Sequence, residues 1–165
     1  MFSIFDGMDA KCLFLSQSKI LAHTLPIMLV ENDATVTCCE DYSEFMRYLD
    51  AIPGINFAFI DVDSFGGIAA QYDRIREMRE RFPDVATILV SSDFSTDEFG
   101  THRLFLADVS LRLPVTYSCL ELALLQAPVN NRVWVQRLNS ASTHAPTRSV
   151  AQSLKLGQRD FGNHP

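Results

Sequence analysis

The sequence predicts an α/β domain built on a parallel sheet with helices on both faces, and two observations carry that expectation. Strand-length apolar runs alternate with helix-spaced segments five times across roughly residues 10–127, with short connections between them. The third and fourth runs, NFAFIDVD (56–63) and ATILVSS (86–92), are the most apolar, as strands buried in a parallel sheet should be. A doubly wound sheet of this kind places its site at the carboxyl ends of the strands.

CLFLS (12–16) has the length and composition of a strand. SKILAHTLPIML (18–29) follows with apolar residues at helical spacing, Ser18 as N-cap, and Pro26, which should kink or shorten the helix. ATVTCC (34–39) is β-branched and short, hence a strand. DYSEFMRYLDAI (41–52) reads as a helix with a stripe of Tyr42, Phe45, Met46 and Leu49, ended by Pro53-Gly54. GIAAQYDRIREMRERF (67–82) is the clearest helix: Ile68, Tyr72, Ile75 and Met78 share one face. Asp73, Arg74, Arg76, Glu77, Arg79 and Glu80 form a solvated opposite face. Residues 93–107 should contain a short helix opened by Ser95, Thr96 and Asp97. VSLRL (109–113) is the fifth strand, and 116–127 the last helix.

Past Pro128 the pattern fades. Residues 130–138, with Val133, Trp134, Val135 and Leu138, offer one more amphipathic element. The rest of 128–165 is Ser/Thr-rich and expected to be largely disordered. The core should contain Leu13, Leu15, Val36, Phe57, Phe59, Ile88, Val90 and Leu111.

At 165 residues and 47% hydrophobic, the chain can bury a core without a disulfide or metal staple. The net charge of −6 gives no general case for nucleic-acid binding. The charge is uneven: residues 1–128 hold nine basic against nineteen acidic residues, and 129–165 hold five against one. An acidic body therefore carries a basic tail. The N-terminus lacks the basic start of a signal peptide, and no apolar run reaches membrane-spanning length, so a cytoplasmic protein is expected. Cys12, Cys38, Cys39 and Cys119 lack metal or redox spacing and are expected to be reduced, the first three as buried small hydrophobes. A redox contact between Cys12 and the 38–39 pair is the alternative. The histidines are scattered, none with a ligand partner at useful spacing.

The five βα units and the residues at the strand ends resemble the receiver domain of bacterial response regulators (CheY-like), over roughly residues 10–127. That resemblance implies a flavodoxin-like sheet in order 2-1-3-4-5, with a phospho-acceptor Asp at the end of the third strand, here Asp61. It also implies a hydroxyl that senses the phosphoryl group at the end of the fourth strand, here Ser91. Ala107 and Asp108 before the fifth strand, and Pro114 after it, fit as well.

The departures from the family fall on the chemistry. The acidic pair that holds Mg2+ after the first strand is replaced by Ser16-Gln17-Ser18. The lysine of the fifth strand is Leu113, and its aromatic switch residue is Ser110. The loop after Asp61 reads Asp63-Ser64-Phe65-Gly66-Gly67. Phosphoryl transfer is catalysed mainly by positioning and by charge. A hard cation needs oxygen ligands, chiefly carboxylates, and Asp61 with Asp63 is a poor set. Each lost charge-assisted contact costs on the order of 1.5–3 kcal/mol.

The expected function is therefore that of a stand-alone degenerate receiver, or pseudo-receiver. It would act by protein–protein interaction in bacterial two-component signalling, without enzymatic activity and without a cofactor. Its partners would be signalling proteins such as a histidine kinase or a response regulator. By resemblance, the contact face is the fourth helix, fifth strand and fifth helix (96–105, 109–113, 116–126), which also allows a homodimer. One alternative is a competent response regulator that accepts phosphoryl on Asp61 with Mg2+. Another is a haloacid-dehalogenase-type phosphatase, with Asp61 as nucleophile and Asp63 as general acid; Phe65 and the third-strand position of Asp61 speak against it. A DNA-reading output domain does not fit in the 37 residues after Pro128.

Overall fold

A computed structural model describes residues 4–5 and 9–144. Five parallel strands, β1 (Ala10–Leu15), β2 (Ala34–Cys39), β3 (Ile55–Asp61), β4 (Ala86–Ser91) and β5 (Val109–Arg112), lie in the order β2-β1-β3-β4-β5. Four α-helices connect and cover them: α1 (Lys19–Val30), α2 (Tyr42–Ala51), α3 (Ile68–Arg81) and α4 (Tyr117–Thr143).

Alternation along the strands builds two cores. Phe14, Phe57, Phe59, Val90 and Leu111 face α1 and α4. Leu13, Leu15, Ala58, Ile60 and Leu89 face α2 and α3. All eight expected core residues belong here, and only Val36, on the edge strand β2, is partly open. Helix starts follow local chemistry: the side chains of Ser18, Asp41 and Thr116 accept from the backbone N–H of Leu21, Glu44 and Cys119. Helix α1 runs through Pro26 to Val30.

Four expectations need correction. Residues 93–107 form no helix. Glu98 and Ser110 exchange backbone hydrogen bonds of 2.7 and 2.9 Å, and the Asp97 carboxylate accepts from Arg112 N at 2.7 Å. These bonds tie 97–98 to β5, and 102–106 follows as turns in which Arg103 O accepts from Leu106 and Ala107 N–H, against the helical cap signals. The last helix does not stop near 127 but continues through Pro128 to Thr143, so the first part of the expected tail is ordered. The remaining tail, residues 145–165, lies outside the described residues. Cys38 is exposed on the edge strand, while Cys12 and Cys39 are buried, and all four thiols are free. Burial pushes the Cys12 thiol up to about 12, the value of an inert packing residue.

The fourth correction explains the second. Arg79, read as part of a solvated face, is 1% exposed. Its guanidinium makes a bidentate pair with Asp108 at 2.8 and 2.9 Å and donates to Leu104 O at 2.7 Å. Trp134 lies over it, 4.7 Å from guanidinium carbon to ring centroid. Asp108 also accepts from Thr87 N at 2.7 Å and from the Asn131 amide at 3.3 Å, and Asn130 donates to Asp108 O at 2.7 Å. Asn130, Asn131 and Trp134 thus tie the extended α4 to α3, β4 and the segment before β5.

Candidate functional site at the carboxyl ends of the strands

Asp61 ends the central strand β3 and is 2% exposed. Two serines converge on one of its oxygens. Ser16 Oγ donates to Asp61 Oδ2 at 2.7 Å, and Ser64 Oγ donates to the same oxygen at 2.5 Å. Both hydroxyls are also used as acceptors: Ser16 Oγ takes Ser18 N–H at 3.0 Å, and Ser64 Oγ takes Gln17 N–H at 3.0 Å. The β1 end, the β3 end and the following turn are thereby closed onto Asp61. Its other oxygen, Oδ1, is buried with no hydrogen-bond partner.

The turn after Asp61 is a short 3-10 helix, Val62–Phe65, released by Gly66 and Gly67 at φ +87° and +86°. Side chains are strained at such angles, so the glycine pair fixes how the turn presents Asp63 and Ser64. Asp63 reaches sideways to β4. Its carboxylate accepts from Ser91 Oγ on one oxygen, and from Ser92 N at 2.8 Å and Ser92 Oγ at 2.7 Å on the other. Burial pushes its carboxyl up, but these three bonds outweigh that and leave it below the ordinary carboxylate range. The Ser91 hydroxyl also accepts from Asp93 N at 3.0 Å.

A pH prediction follows from this depressed carboxyl. The Asp63 bonds contribute stability above the unfolded-state pKa, and that contribution is lost as pH falls through the lower folded value. Asp63→Asn should be less stable than the parent at neutral pH in urea unfolding, with the gap closing in acid. A gap independent of pH would contradict the assignment.

The remaining sequence candidates take up different positions. Gln17 points its amide to Glu40 O at 3.2 Å, away from Asp61. Ser110 is buried, its hydroxyl without a partner. Leu113 packs on the α1/α4 core, and its N–H donates to Ser91 O at 3.0 Å, just before a cis Leu113-Pro114 bond. With Ser92, Pro114, Val115 and the first turns of α1 it lines an apolar groove of about 510 Å3. For a cation, this end offers Asp61 and Asp63, and the oxygens of Asp63 are already engaged by Ser91 and Ser92. Among the described residues no group of three or more His, Cys, Asp or Glu side chains is arranged to hold a metal. The donor set does not fit the Mg2+ site that the resemblance implies.

No protein-family model matches the chain, and no curated protein does either. Solved structures do match. A response regulator receiver domain protein from Clostridium thermocellum superposes with a TM-score of 0.59 at 19% identity, over 75% of this chain and 98% of that one. A response regulator from Thermotoga maritima gives 0.60 at 18% identity, over 74% and 99%. The fold is that of a receiver domain. The signal receiver domain of an HD domain-containing protein from Pseudomonas fluorescens Pf-5 gives 0.60 at 15% identity, over 78% and 93%. The part of this chain left over by these receivers is about a quarter of its length. No helix among the described residues is long and apolar enough to cross a membrane.

The sequence-based assignments brought Asp61, Ser16, Ser91 and Asp63 to one end of the receiver fold, as expected. They missed Ser64 and Ser92, which complete the two hydrogen-bonded clusters. The signal was present as adjacent pairs, Asp63-Ser64 and Ser91-Ser92: Asp63 takes both Ser91 and Ser92, while Ser64 turns back to Asp61.

Proposed function

We propose that this chain is a degenerate receiver that works by protein–protein interaction in two-component-type signalling, with no Mg2+-dependent phosphoryl transfer of its own. The observation that carries the reading is the occupancy of the site by its own side chains. Asp61 Oδ2 is taken by Ser16 and Ser64, and the Ser91 hydroxyl is taken by Asp63. A phosphoryl acceptor needs a free carboxylate oxygen, a neutralising cation and a fixed positive charge. Ser16 and Gln17 stand where the family's carboxylates would be, and Leu113 stands where its lysine would be.

One observation favours the competent alternative. Asp61 Oδ1 is unpartnered, so an acceptor oxygen is present even though it is buried. A calorimetric titration with Mg2+ separates the two readings. The degenerate receiver gives no heat from a site of submillimolar affinity. Such a site, abolished by Asp61→Ala, would favour the competent one.

A further inference from the structure

We infer that the outer face of the α1/α4 layer is an interface between two copies of this chain, related by a two-fold axis with the α1 helices antiparallel. Among the described residues there are nine exposed large hydrophobic side chains, and seven of them are on these two helices. Ile20, Ile27 and Val30 are on α1; Tyr117, Leu122, Leu125 and Val129 are on α4. Ile20 is 79% exposed. On α4, Leu122, Leu125 and Val129 follow the 3-4 spacing of a helix–helix seam, on the side opposite the buried Leu120, Ala123, Leu124 and Ala127. A helix that is apolar on both sides is one that packs on both sides.

Charge marks the same face. Helix α1 has one charged residue, Lys19, in twelve. Helix α4 has three, Glu121, Arg132 and Arg137, in 27. Helix α3, on the opposite layer, has seven in fourteen. Depletion of charge over an exposed apolar patch is the composition of an interface core. An anionic membrane would call for a dense basic rim, and Lys19, Arg132 and Arg137, spread over two helices with Glu121 and Glu31 among them, do not make one.

The pattern on α1 points to a second copy as the occupant. An isologous contact requires a patch that fits itself. About Leu25 as midpoint, an antiparallel pairing of two α1 helices sets the exposed Ile20 level with the exposed Val30 of the other copy, apolar against apolar. Lys19 mirrors Glu31, so the antiparallel pairing sets each lysine level with the glutamate of the other copy. This inference does not depend on whether Asp61 accepts phosphoryl.

Sedimentation equilibrium on the full chain tests it, from micromolar to several hundred micromolar. The mass is expected to rise from 18.5 kDa to twice that. Ile20→Glu and Leu125→Glu should each weaken association at least about tenfold, because each buries an unpaired charge, while the thermal unfolding midpoint of the monomer stays close to the parent's. Lys19→Glu should weaken association, and adding Glu31→Lys should restore it. A monomer across the whole range overturns the inference. So does a dimer that both glutamate variants leave intact, since that dimer would use another face.

Discussion

Arg79→Met is expected to cost about 3–5 kcal/mol of folding stability, the loss typical of breaking a buried ion pair from one side. The reason is what the variant leaves behind. Asp108 is 0% exposed, and two of the bonds that neutralise it come from the Arg79 guanidinium. Methionine fills much of the volume but leaves the carboxylate with only the Thr87 amide and the Asn131 side chain. Leu104 O loses its donor at the same time. Urea unfolding at neutral pH reads the loss directly. A change below about 1 kcal/mol, the range of an exposed pair, would show that Arg79 is solvated as its sequence neighbours suggest.

Trp134→Ala is expected to cost about 3–5 kcal/mol as well, the range for truncating a buried aromatic. Trp134 is 8% exposed, covers the guanidinium of Arg79, and directs its indole N–H to Arg79 O at 3.4 Å. Its removal opens a cavity over the ion pair and detaches the last turns of α4. The two substitutions act on one cluster, so the double variant should lose less than their sum. Hydrogen exchange gives a second readout. In Trp134→Ala, amides of residues 130–143 should exchange much faster, while β3 and β4 remain the slowest. Unchanged protection of 130–143 would mean that α4 is held by other contacts.

These two residues also mark where the sequence was and was not legible. The five strands, the helices other than the one expected within 93–107, and the position of Asp61 followed from local signals: apolar runs of strand length, the N-cap at Ser18 and the Pro53-Gly54 stop; the strand order followed from the receiver resemblance. What escaped depended on partners far apart in the chain. Arg79 sits in a run of alternating charges, and nothing nearby distinguishes it from Arg76 or Arg81. Its partner Asp108 is 29 positions away. The helical continuation past Pro128 was masked by a proline and by two asparagines, which are weak helix formers. Those asparagines are buried because their amides satisfy carbonyls of Pro83, Phe99 and Asp108. The helix expected within 93–107 had the right caps, but pairing with β5 through Glu98 overrode them.

The site divides in the same way. Ser16, Gln17 and Leu113 stood out by position alone, because each replaces a charged residue of the family the chain resembles. That Ser16 would donate to Asp61, or that Asp63 would turn to Ser91 and Ser92, is a matter of side-chain direction in a turn, which spacing does not fix. These contacts separate a receiver site with missing parts from one in which Asp61 Oδ2 and both oxygens of Asp63 are already engaged by serines.

The most direct test is intact mass spectrometry after incubation with a small phosphodonor and Mg2+. The parent chain should be compared with a variant carrying Ser16→Asp, Gln17→Asp and Leu113→Lys. The parent should gain no phosphoryl group. The variant restores two carboxylates and a cation, and it should gain one that is lost on further substitution of Asp61→Asn. A parent chain that takes up a phosphoryl group, and loses that ability with Asp61→Asn alone, would contradict the degenerate-receiver account.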